Sequence, residues 1–196
     1  MTLPPVMRVF FAVDLPQPAR DALGGFIGVL KKKAKSNAIR WAKADKLHIT
    51  LQFLAEVKTE HVTRLIENVR AQLEGVLRNT TLTFGRLHLF PNPYRPRVIV
   101  MDIVPQEDLV VLAGLIGEGI KSTGYEIEAR PFRAHLTLGR IKQPQEVELG
   151  FLAESPLPDV GKIEVQEVVL FRSEPHSDGS KYSVLERITL QKSPCV

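Results

Sequence analysis

The chain has 196 residues, 44% apolar and 24% charged, the balance of an ordinary folded protein with enough length to bury a substantial core. Its net charge of +4 leans toward anionic partners such as nucleotides or RNA, and its single cysteine, Cys195, excludes an internal disulfide or a cysteine-based metal site. The first apolar run, Val9 to Val13, stops at Asp14, too short for a signal-peptide core or a membrane span, so a cytoplasmic protein with a loose leader over Met1–Val6 is expected.

In chain order, Arg8–Leu15 reads as a strand that is apolar on both faces, ended by Pro16 and Pro18. Ala19 to Lys35 carries Leu23, Phe26, Ile27 and Leu30 at helical spacing, and its Lys31–Lys33 run reads as a solvated helix end. A polar loop holding Trp41 leads to a strand over Leu47–Leu54. Thr59 is the expected N-cap of a helix over Glu60–Leu77, followed by a strand over Thr80–Phe90. Pro91-Asn92-Pro93 marks a boundary. Beyond it come a strand over Val98–Val104, a helix over Glu107–Ser122 ending near Gly124, and a strand over Phe132–Arg140. A short helix is expected around Gln145–Ala153, then strands over Ile163–Phe171 and Tyr182–Leu190 separated by an Asp178-Gly179 turn.

The halves echo each other. Arg8-Val-Phe-Phe-Ala-Val-Asp-Leu-Pro returns as Arg97-Val-Ile-Val-Met-Asp-Ile-Val-Pro, 89 residues on. His48-Ile49-Thr50-Leu51 returns as His135-Leu136-Thr137-Leu138, 87 residues on, and Leu89-Phe90 as Leu170-Phe171, 81 on. Three landmarks in the same order point to a duplicated unit of strand, helix, strand, helix, strand. Such units pack about a pseudo-twofold axis, which would set the two histidine strands on either side of a cleft.

In a strand, residues two apart face the same way, so each motif presents an imidazole beside a hydroxyl. Apolar positions drift between the copies, as Phe10 against Ile99 shows, whereas the histidine and threonine are kept. Two imidazoles suit cleavage of a phosphate ester: one takes a proton from the attacking oxygen, the other gives one to the departing oxygen. Threonine hydroxyls can donate to the non-bridging phosphate oxygens. Neither a metal nor another cofactor is needed for this chemistry.

With these motifs the chain resembles the 2H phosphoesterase superfamily, and within it the RNA 2′,3′-cyclic phosphodiesterases, also called 2′-5′ RNA ligases. The resemblance runs over residues 7–190. It rests on the RVFFAVDLP opening, RWAKADKLHITLQFLAEV (40–57), RPFRAHLTLGR (130–140) and LFRSEPHSDGSKYSVLERI (170–188). It implies hydrolysis of RNA 2′,3′-cyclic phosphate ends to 2′-phosphates. His48 and His135 would be catalytic, His48 as acid and His135 as base, and Thr50 and Thr137 would bind the phosphate. Phe53 and Arg140, five residues past each histidine, would sandwich the terminal base. Simple alternation puts both on the face opposite the histidines, so a bulge or strand end must re-aim them. Ala55 departs from a glycine common in the family and is expected to alter a turn there.

The implied fold is α+β: two pseudo-symmetric lobes from the duplicated β-α-β-α-β unit, with largely antiparallel sheets lining a central cleft and helices outside. One domain over residues 1–196, with lobes over about 7–91 and 96–190, and a monomer are expected. Substrates would be RNA with 2′,3′-cyclic phosphate ends, tRNA halves among them, or small cyclic nucleotides. Arg130 and Arg133 flank the second motif as further candidate RNA or phosphate contacts. Of the other histidines, His61 reads as solvated, His88 as structural and His176 as a loop residue, with a rim contact as its alternative. Two other functions fit the same residues: an end-joining enzyme making 2′-5′ linkages, and a non-catalytic RNA or nucleotide-binding module.

Overall fold

The computed structural model describes residues 4–75, 80–143, 149–177 and 179–191. Their strands are β1 (Val6–Asp14), β2 (Ile39–Trp41), β3 (His48–Lys58), β4 (Thr81–Phe90), β5 (Val98–Val104), β6 (His135–Ile141), β7 (Ile163–Glu164), β8 (Glu167–His176) and β9 (Gly179–Thr189). The helices are α1 (Gln17–Ala34), α2 (Val62–Leu73) and α3 (Gln106–Ser122). The strands form one antiparallel sheet in the order β7-β4-β5-β6-β3-β1-β8-β9, with β2 also paired to β6. The fold is therefore α+β, with a duplicated pattern of elements around the two histidine strands.

The order reveals an exchange. β1, which pairs with β3 on one edge, takes β8 from the second half on the other, whereas β5, which pairs with β6, takes β4 from the first half on its other edge. The first half lends its last strand, β4, and the second its last hairpin, β8-β9, so contacts distant in sequence hold the sheet together. The halves meet where β3 lies against β6, at the pair Ile49–Leu136, both fully buried.

β1 explains its own doubly apolar sequence. Met7, Val9, Phe11 and Val13 face the main core with α1 and α3, while Phe10 and Ala12 join Val169 and Phe171 in a second, smaller cluster on the cleft side. Truncating a fully buried side chain such as Phe11 to alanine would cost about 3–5 kcal/mol. α1 begins after Pro16 and ends at Lys35, in the left-handed conformation (φ 45°), with Lys31–Lys33 in its last turn. Lys33 is more than solvated: its Nζ donates to the Glu154 carbonyl and the Ser155 hydroxyl, each at 3.2 Å. α2 and α3 pack closely because residue 119 is glycine. A Cβ there would lie 2.7 Å from the Val69 Cα.

Several local expectations change. Residues 4–6 are tied down, since Thr59 donates its N–H to the Pro5 carbonyl at 2.9 Å and its hydroxyl to that of Pro4. That hydroxyl is therefore not an N-cap; a single 3-10 turn, Thr59–His61, precedes α2. The expected helix end at Val76-Leu77 lies outside the described residues. The strand at Phe132 starts only at His135, because the Gln106 side-chain amide clamps Ala134, accepting from its N–H and donating to its carbonyl, each at 2.9 Å. The strand expected over Ile163–Phe171 is split in two at Val165-Gln166. Val165 donates to Thr80 and the Gln166 carbonyl accepts from Leu190, so the chain passes between the two ends of the sheet. Where a short helix was expected, Gly150–Leu152 forms one 3-10 turn, and residues 145–148 lie outside the described residues, as does Asp178 of the expected turn. Ala55 sits mid-strand in β3, so there is no turn for it to alter. No described helix is long and apolar enough to cross a membrane.

Candidate active site

The two motifs lie side by side. With Ile49 opposite Leu136 in antiparallel register, His48 comes across from Thr137 and Thr50 across from His135. The two buried residues anchor the strands below, and the four polar side chains line one cleft of about 490 Å³ above. Backbone pairing alone thus brings two imidazoles and two hydroxyls to one place.

Each imidazole is held the same way. His48 Nδ1 donates to the Lys46 carbonyl at 2.8 Å, and His135 Nδ1 to the Arg133 carbonyl at 2.9 Å. A carbonyl can only accept, so Nδ1 carries the hydrogen in both rings. That leaves Nε2 as the atom free to accept or deliver a proton.

Phe53 and Arg140 line the same cleft, and two β-bulges put them there. Along β1, Ala12 pairs with Thr50 and Phe11 with Gln52, which leaves Leu51 as an extra residue in β3. Along β5, Val100 pairs with Thr137 and Ile99 with Gly139, which leaves Leu138 as an extra residue in β6. One extra residue reverses the alternation, so a side chain five past each histidine returns to the histidine's face. Leu51 and Leu138 are both buried, which explains why the sequence spends an apolar residue at each bulge. Phe53 is half exposed, with the Arg8 guanidinium 5.9 Å from its ring centre.

The surroundings of the two histidines differ. His48 sits among Phe10 (4.7 Å between ring centres), Tyr182 (5.3 Å) and Phe171 (6.2 Å). This burial pushes its pKa below the ordinary 6.5; the nearby Arg140 and Arg20 charges add to the effect, while the Lys46 carbonyl and Asp14 oppose it. Asp14, directly opposite His48 in the sheet, is itself held by Arg20 and, at 3.5 Å, by Arg187. His135 has one aromatic neighbour, Phe90, stacked at 6.1 Å. Opposite it in the sheet stands Asp102, which accepts from Arg133 at 2.9 Å and meets His88 at 2.5 Å.

Arg130 and Arg133 are not in the cleft between the histidines. They line a second pocket, of about 340 Å³, beyond His135, where Arg130 is paired with Glu128 and Arg133 with Asp102. His61 is not simply solvated, as its Nδ1 lies 2.9 Å from the Tyr125 hydroxyl. Phe10 and Tyr182 are cleft residues that the sequence pattern hardly marks. The only hint was a β1 sequence with no polar face. Trp41 also joins the cleft, because Ile39–Trp41 forms the short strand β2 on β6, with Trp41 opposite Gly139. Glycine suits this close approach: a Cβ would lie 3.0 Å from the Ile39 side chain and 3.2 Å from the Trp41 ring, so both would have to give. Among the described residues, no three His, Cys, Asp or Glu side chains are grouped so as to hold a metal ion.

A fold of this kind, with paired His-x-Thr strands facing one cleft, defines a class of phosphoesterase. Residues 13–100 match the family described as LigT-like phosphoesterase. A Thermus thermophilus protein named RNA 2′,3′-cyclic phosphodiesterase is 30% identical over 198 residues, covering 94% of this chain and 91% of its own. One of the same name from Archaeoglobus fulgidus is 29% identical over 167 residues, covering 85% of this chain and 91% of its own. The crystal structure of E. coli LigT complexed with 3′-AMP superposes with a TM-score of 0.72 at 28% identity, over 95% of this chain and 99% of that one. The chain belongs to the LigT-like family of 2H phosphoesterases.

Proposed function

We propose that this protein hydrolyses RNA 2′,3′-cyclic phosphate ends to 2′-phosphates, with His48 and His135 as the proton-transfer pair and no metal or other cofactor taking part. The observation that carries this reading is the register at Ile49–Leu136, which gathers both imidazoles, each with Nε2 unencumbered, and both threonines around one point. The relatives named RNA 2′,3′-cyclic phosphodiesterase, and the 3′-AMP bound to E. coli LigT, support the substrate class.

In this mechanism a neutral imidazole accepts a proton from water as the water oxygen bonds to phosphorus. The bond from phosphorus to the ribose 3′ oxygen breaks, and the second, charged imidazole gives that oxygen its proton. Each transfer contributes about 10²–10⁴-fold in rate. Thr50 and Thr137 donate to the non-bridging oxygens, where negative charge gathers in the transition state. His135 is the base and His48 the acid. Burial favours neutral His48 in an empty cleft, and the negative charge of a bound phosphate offsets this by favouring its charged form. Phe53 and Arg140 stack on the terminal base. The working unit is a cytoplasmic monomer: one domain over residues 1–196, built from repeats at about 7–91 and 96–190. Its substrates include RNA ends such as those of tRNA halves, and small cyclic nucleotides.

The test is to incubate the protein, in EDTA, with an RNA ending in a 2′,3′-cyclic phosphate, with and without a second RNA bearing a 5′-hydroxyl. The expected result is a 2′-phosphate in both cases. A joined strand as the main product would favour end-joining, and loss of turnover in EDTA would contradict the metal-free mechanism.

A further inference from the structure

Beyond His135 lies a pocket that the proposed chemistry does not use. It adjoins the cleft directly, since Thr50, Phe53 and His135 line both. Its floor and walls include the apolar side chains of Phe90, Pro131 and Phe132, and its polar lining includes Arg130, Arg133, Glu128 and His88. Phe90 is 40% exposed, which for a large aromatic beside a site leaves a face available for contact. Arg130 and Arg133 are each paired with one carboxylate, but a guanidinium has five N–H donors, so each keeps donors to offer. The volume, about 340 Å³, falls within the range of pockets that hold a small ligand.

Aromatic and prolyl faces with arginines at the rim are what single-stranded nucleic acid requires: a surface for a base and donors for a phosphate. The cleft between the histidines already has its own stacking pair in Phe53 and Arg140. A ligand that enters both spaces must pass the point where the phosphate reacts. We propose that this second pocket is a subsite for one further nucleotide, with its base against Phe132 and Phe90 and its phosphodiester beside Arg130 and Arg133. The proposal rests on the phosphodiesterase reading above and extends it. His88, linked through Asp102 to Arg133, holds that arginine's guanidinium at the pocket wall. Two strands carry the required chemistry: the nucleotide preceding the cyclic end, and the first nucleotide of an RNA with a free 5′-hydroxyl.

The experiment compares hydrolysis of 2′,3′-cyclic AMP with that of the dinucleotide ApA bearing a 2′,3′-cyclic phosphate. A second arm adds plain ApA to the mononucleotide reaction. Wild type, Arg130→Glu and Phe132→Ala are compared; Arg130 is exposed, so its variant will fold even if the Phe132 variant does not. If the preceding nucleotide fills the pocket, wild type favours the dinucleotide by about tenfold or more in kcat/KM, and the variants bring that ratio toward one. If an incoming strand fills it, ApA inhibits wild type and the variants lose that inhibition. Equal use of both substrates with no effect of ApA, or effects that the variants leave intact, overturns the subsite. Failure of wild type to hydrolyse either cyclic compound would instead overturn the phosphodiesterase reading itself.

Discussion

The two histidines share a motif, a strand type and a backbone anchor, yet their surroundings have diverged. His48 is packed among three aromatic rings, and burial holds its pKa below 6.5. His135 leans on one ring, borders a second pocket and faces an aspartate tied to His88 and Arg133. The comparison separates what pairing chemistry fixes from what it leaves free. Register, bulges and the Nδ1 anchors are the same in both halves, because the positions of Nε2 and the hydroxyls depend on them. The outer surroundings can differ, and in the first copy they bury His48 and push its pKa down.

The largest effect should come from the shared features. His48→Ala and His135→Ala should each lower kcat on cyclic-ended RNA by about 10²–10⁴-fold. A variant that keeps most of its rate would break the symmetry of the pair. The bulges come next. Phe53→Ala and Arg140→Ala should raise KM by about 5- to 100-fold, the range expected for losing one stacked base, with the smaller change in kcat. An unchanged KM would mean that the bulges aim these side chains for some other purpose.

The asymmetry gives two finer tests. Tyr182→Ala would admit water beside His48, so its titration, followed by imidazole NMR, should move up toward 6.5. No movement would mean that the aromatic packing is not the cause of the shift. Stability should respond too. Below pH 6.5 the unfolded chain protonates His48 while the folded one resists, so stability falls as pH drops from 6.5 through the folded pKa. Equilibrium denaturation of His48→Gln should show a shallower loss over that window than wild type.

How much of this could be read from the chain follows the range of each interaction. The motifs, the repeat and most elements were legible because a histidine two residues from a threonine, or an apolar residue every third or fourth position, is local information. The need for a bulge before Phe53 and Arg140 was legible as a parity conflict, but its place at Leu51 and Leu138 was not, since it depends on the partner strand. The exchange of β4 and β8 between the halves was hidden for the same reason, and so was β2, three residues long in a polar stretch. The link from His88 through Asp102 to Arg133 joins three strands' worth of sequence and appears only once β4, β5 and the start of β6 are in register.

The central claim is that two copies of one motif form a single reaction centre. Its most direct test is to treat an RNA ending in a 2′,3′-cyclic phosphate with wild type, His48→Ala and His135→Ala, and to identify the terminal phosphate. The account predicts a 2′-phosphate from wild type and an intact cyclic end from both variants. A cyclic end that wild type leaves untouched, or a 2′-phosphate formed at the wild-type rate by either variant, would contradict it.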